Sequence, residues 1–100
     1  MFLDVLPKLT EKAWQAQVLT LARMFGWRVF HVFNSRRSVP GFPDLVLVRR
    51  PRVIFAELKT DRGRLTDDQR DWLADLGECP VESYVWRPRD AQRIAEVLTR

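Results

Sequence analysis

Two carboxylates and an ammonium group stand at hairpin spacing near the middle of this 100-residue chain. Asp44 follows Gly41-Phe42-Pro43 and opens the apolar run Leu45-Val46-Leu47-Val48, while Glu57-Leu58-Lys59 closes the run Val53-Ile54-Phe55-Ala56. Side chains alternate faces along a strand, so Glu57 and Lys59 share one face and Leu58 points into the protein. If the two runs pair as a hairpin around Arg49-Arg50-Pro51-Arg52, Asp44 and Glu57 return to the same end of the sheet. Hard oxygen ligands beside an ammonium are equipment for holding a divalent cation and steering an attacking water. A turn at Pro43-Asp44 and a solvated Glu-x-Lys pair would account for the same residues more blandly. The buried look of the strand before Glu57 favours the site. An ionised carboxylate there is costly without a cation or a hydrogen-bonding network.

The elements that must position these groups are readable from periodicity and caps. Thr10 is a fair N-cap for a helix running through about Phe25, with Trp14, Val18, Leu21 and Phe25 as its buried stripe and Gly26 as its stop. Trp27 to Phe33 reads as a first strand, and the polar loop 34–43 delivers the chain to Asp44. Strands follow at about 44–49 and 52–59, apolar enough to suggest a sheet covered on both faces. After a charged turn at Asp61 to Arg64, Thr66-Asp67-Asp68-Gln69 has the pattern of a capping box. The helix it opens carries Trp72, Leu73 and Leu76 toward the core and ends near Gly77. Glu82 to Trp86 is a short strand. Pro88 to Thr99 is a last helix, capped by Asp90 and burying Ile94, Val97 and Leu98. The order α-β-β-β-α-β-α gives an α/β fold with a mixed β-sheet flanked by helices. Residues 1–100 form a single domain, and residues 1–9 are an N-terminal arm.

Other residues are candidates by position. Glu11 and Gln15 lie on one face of the first helix, beside the stripe; Glu11 also suits a helix N-terminus, an excuse Gln15 lacks. Either could hold a water bound to a metal ion. Gln69 divides between capping the second helix and supporting the site. In the loop, Ser35, Arg36, Arg37 and Ser38 offer two guanidinium groups and two hydroxyls, suited to phosphate contacts. His31 and the four Trp are most simply packing residues. The formal charge is +4, and Arg dominates the 17 basic residues, which suits a polyanionic partner. A lone Cys79 excludes an internal disulfide and a cysteine-based zinc cluster, and with a single His nothing recommends a Cys/His catalytic pair. The start, Met1 to Pro7, is short for a signal peptide and lacks a basic leader, and no run has transmembrane length. The chain reads as soluble and intracellular, with no membrane and no small-molecule substrate implied.

Pro43-Asp44, then Glu57-x-Lys59, behind a first helix bearing Glu11, resembles the PD-(D/E)xK nuclease superfamily. More narrowly, the chain resembles a stand-alone VRR-NUC domain of the phage and bacterial type. Ser35-Arg36-Arg37-Ser38, Gly41-Phe42-Pro43-Asp44-Leu45, Glu57-Leu58-Lys59-Thr60, Leu65-Thr66-x-x-Gln69 with Trp72-Leu73, and Val85-Trp86-Arg87-Pro88 carry the likeness, from about residue 10 to 99. The resemblance implies a restriction-endonuclease-like core and an endonuclease dependent on Mg²⁺ or Mn²⁺. By it, Asp44, Glu57 and the main-chain carbonyl of Leu58 are the metal ligands, and Lys59 orients the attacking water and stabilises the developing charge. Glu11 acts through a metal-bound water, with Gln15 as the competing assignment. It further implies a homodimer that cuts branched DNA such as four-way junctions, in the cytoplasm of a bacterial or phage-infected cell. A non-catalytic DNA-binding subunit and an RNA-cleaving nuclease are the alternative functions. The apolar Phe2, Leu3, Val5 and Leu6 suggest a docking arm for the dimer.

Overall fold

Thr10 opens the first helix, α1 (Glu11–Met24), by accepting a hydrogen bond from the Ala13 N–H at 3.1 Å. Trp14, Val18 and Ala22, one turn apart, form its buried stripe, with Leu21 and Phe25 packed at the margin. Gly26 ends it at φ +84, a left-handed position that costs glycine nothing. The computed structural model describes residues 9–32 and 39–100. The N-terminal arm up to residue 8, the end of the expected first strand at Phe33, and Ser35, Arg36, Arg37 and Ser38 lie outside the described residues.

Four strands form one sheet in the order β1-β2-β3-β4. β1 (Arg28–His31), β2 (Leu45–Arg49) and β3 (Arg52–Leu58) form an antiparallel meander. Helix α2 (Asp67–Gly77) then carries the chain across to β4 (Glu82–Trp86), parallel to β3, and α3 (Ala91–Thr99) closes the fold. The expected mixed sheet flanked by helices is present, with the architecture of a restriction-endonuclease-like core. Leu45 and Leu47 pair against Ile54 and Ala56 on a face that α1 and α3 bury completely. Ile94, Val97 and Leu98 are the α3 contribution, as their spacing predicts. Two indoles fasten the layers: Trp14 donates to the Trp86 carbonyl and Trp27 to the Leu98 carbonyl, each at 3.0 Å.

The opposite sheet face is covered less evenly than the apolar strands suggest. Phe42 packs edge-to-face on Phe55 and on Trp72 of α2, yet no residue of α2 is fully buried. The last helix also differs from expectation. Pro88–Asp90 form a 3₁₀ turn and α3 starts at Ala91, because the Asp90 carboxylate accepts the Arg87 N–H instead of capping its own helix.

Candidate active site

The β2–β3 register places the carboxylates together. Leu45 pairs with Ala56, so one step further along the ladder sets Asp44 opposite Glu57. The approach to Asp44 is fixed by Gly41, whose φ is +87 and whose Cβ, if it had one, would lie 2.4 Å from the Asp68 backbone. Only glycine lets this loop touch the first turn of α2. Pro43 behind it is buried. Asp44 Oδ2 then accepts the Leu58 N–H at 2.8 Å, tying the start of β2 to the end of β3. On the other side, the Lys59 N–H donates to the Trp86 carbonyl at 3.1 Å. The C=O and N–H of a trans peptide point opposite ways, so the Leu58 carbonyl faces the Asp44 side.

Glu57 is 2% exposed, on the face opposite the main core. Its Oε2 accepts from Gln69 Nε2 at 3.1 Å and lies 3.9 Å from Lys59 Nζ, while its Oε1 is buried without a hydrogen-bond partner. Burial pushes its carboxyl up to about 9, and Asp44 pushes it the same way, through its charge and through the hydrogen bond it offers the protonated acid; Lys59 opposes and Glu11 adds a little. Such a group holds a proton at neutral pH unless a cation takes its place. Gln69 resolves its two readings by serving both. Its Oε1 accepts the Thr66 N–H at 2.9 Å to complete the capping box, which leaves its amide nitrogen directed at Glu57.

The remaining candidates divide. Glu11 is exposed at the start of α1, close enough for its charge to be felt at Glu57. Gln15 is half-buried one turn later, and no hydrogen bond or ion pair among the described residues joins it to Asp44, Glu57 or Lys59. His31 is half-buried in β1. Among the described residues no three His, Cys, Asp or Glu side chains converge as a metal cluster. The acidic part of the site is therefore a pair, with main-chain oxygen and water left to complete any coordination. Two carboxylates, one of them with an unpartnered buried oxygen, and an inward carbonyl fit a hard divalent cation.

The role of Arg87 is invisible in the sequence. Its Nη1 donates to the carbonyls of Thr60 and Gly63, 2.6 Å to each, and Arg89 binds Asp61 through its own N–H and guanidinium. These bonds hold the loop after Lys59 so closely that a Cβ at Gly63 would meet Lys59 Cδ at 3.3 Å. The Arg87-Pro88 string marks a turn, but nothing in it announces which carbonyls the guanidinium reaches.

No curated protein and no solved structure matches the chain. Among the described residues, no helix is long and apolar enough to cross a membrane. The family model of the VRR-NUC domain matches residues 8–90, a span that includes the whole hairpin, the Gln69 helix and the Arg87 turn. Since that match takes in most of the sequence and the sheet carries Asp44, Glu57 and Lys59 to one end of its central strands, the chain belongs to the VRR-NUC domain family, a family of nucleases.

Proposed function

We propose that the protein is a divalent-metal-dependent endonuclease that hydrolyses phosphodiester bonds in DNA, with branched DNA such as four-way junctions as its substrate. The observation that carries the reading is Glu57: a buried carboxylate with one unpartnered oxygen, set beside Asp44 and within ion-pair reach of Lys59. A core has no use for such a group, whereas a cation site does. Asp44, Glu57 and the Leu58 carbonyl would hold Mg²⁺ or Mn²⁺, with Glu11 acting through water and Gln69 fixing the Glu57 rotamer. When bound, the ion supplies Lewis-acid polarisation of the phosphoryl oxygens. The chain's own share is positional. Lys59 orients the attacking water and offsets charge on the phosphorane, in a site whose backbone is locked on both sides. Ser35, Arg36, Arg37 and Ser38, a few positions before Asp44 in the sequence, would add phosphate contacts.

A homodimer is the proposed working unit, because a symmetric pair offers two sites to a two-fold junction. A cleavage series over linear, flapped, splayed and four-way DNA, with Mg²⁺, Mn²⁺ or EDTA, tests the proposal. Wild-type protein should cut in a metal-dependent way, and Lys59→Ala should abolish cutting while DNA affinity is kept. Cutting by Lys59→Ala at the wild-type rate would remove Lys59 from the chemistry, and cutting in EDTA would refute the metal.

A further inference from the structure

Among the described residues, the cover on the outer sheet face ends before β1. Phe30 stands there 63% exposed, and its register partner is Val46, two residues beyond Asp44 on the same face. Arg28 pairs with Val48, and these two share with Arg50 a cleft of about 580 Å³ at the far end of the strands. The side chains of Arg28 and Arg50 are exposed and make no ion pair or hydrogen bond among the described residues. Their neighbours Arg49 and Arg52 are spent elsewhere, on the carbonyls that end α3. From Asp44 to the end of β2 at Arg49 the chain spans roughly 17 Å, a length of about five stacked nucleotides.

A lone exposed phenylalanine is ordinary, and an arginine on an edge strand can simply discourage strand pairing. Here the two occur together: the aromatic ring lies on one face between the carboxylate pair and Arg28, with Arg50 in the hairpin turn just beyond, and neither guanidinium is paired among the described residues. A duplex hides its base faces from such a ring, whereas an unpaired strand offers them.

We infer that the open β1–β2 half of this face binds an unpaired DNA strand adjoining the scissile phosphate, with a base stacked on Phe30 and phosphates held by Arg28 and Arg50. The inference rests on the nuclease reading of Asp44 and Glu57 for its direction, and names the part of the substrate that this face takes.

Binding of a fluorescent (dT)₁₂ oligonucleotide to the full chain in EDTA, read by anisotropy, tests it without cleavage. Phe30→Ala should weaken binding about 5- to 100-fold, and Phe30→Trp should keep it. Arg28→Ala and Arg50→Ala should each lower the salt slope by about 0.7. A blunt duplex of equal length should be indifferent to Phe30→Ala. Wild-type (dT)₁₂ affinity in Phe30→Ala overturns the inference, as does an equal loss on the blunt duplex. So does a Phe30→Ala chain that loses its partner copy in light scattering while keeping its (dT)₁₂ affinity, which would make the face a subunit interface. Cleavage is scored separately. A chain that binds (dT)₁₂ through Phe30 but cuts nothing refutes the nuclease reading and leaves the binding face standing; cutting with an unchanged Phe30→Ala affinity does the reverse.

Discussion

Glu57 links pH and stability, and under the proposed function it would link both to metal binding. Its carboxyl sits well above the usual range in the fold, so the folded state binds more protons than the unfolded chain between the ordinary glutamate value and about 9. Stability from this group is therefore full below pH 4.5 and drains away as pH rises toward 9. In EDTA, denaturant unfolding should show a loss on the order of 3 kcal/mol between pH 5 and 8, which Glu57→Gln flattens. A bound cation replaces the proton, so Mg²⁺ affinity should increase with pH over the same window. Calorimetry in two buffers of different ionisation heat would count the proton released. Glu82 has the opposite sign. Arg52 holds its carboxyl down to about 2 through two 2.7 Å bonds, so its contribution is present above the ordinary glutamate range and disappears as pH falls toward 2. A metal-free Glu57→Gln chain that still loses stability from pH 5 to 8 would place the titrating group elsewhere.

At the scale of elements, the loop 60–63 decides how well Lys59 is aimed. No large apolar side chain anchors that loop, and a 3.9 Å approach to Glu57 is too long to fix an ammonium as a hydrogen bond would. The carbonyl bonds from Arg87 do the fixing. Arg87→Met should lower kcat about 10- to 100-fold and leave KM nearly unchanged. Since one nitrogen makes both bonds, Arg87→Lys should recover much of the rate. An equal loss in both variants, or a change confined to KM, would defeat that role. Gly41→Ala sets an adverse φ against a backbone contact and should cost more than ~1 kcal/mol, seen as a lowered Tm. Its rate loss should exceed what unfolding explains, because Asp44 moves with the loop. These elements were partly legible. The hairpin, the Thr10 cap and the Thr66 box follow from local chemistry, and the structure contains them. The Asp90 carboxylate went to Arg87, because two nearby backbone donors compete for one acceptor and sequence does not rank them. The double duty of Gln69 was beyond local reading, since it depends on how α2 docks against β3.

On the scale of the whole molecule, the basic composition overstates the surface available to phosphate. Arg49 and Arg52 lie 4.5 and 4.9 Å from the Trp27 ring and tie β2 and β3 to the end of α3, while Arg87 and Arg89 serve the loop 60–63. Counting charges could not separate these from Arg28 and Arg50, because the difference lies in tertiary position. Light scattering at micromolar concentration should return twice the chain mass, and coupled nicking of a four-way junction by a monomer would defeat the dimer. The bond from Leu58 to Asp44 has a different kind of consequence. A one-residue slip of β3 against β2 would turn Glu57 into the core and Leu58 out into the cleft. A two-residue slip would restore the faces but part Asp44 from both. Strand alignment is thus checked by the same groups that would cut DNA, so a misaligned or half-assembled chain is left without the means to damage a genome.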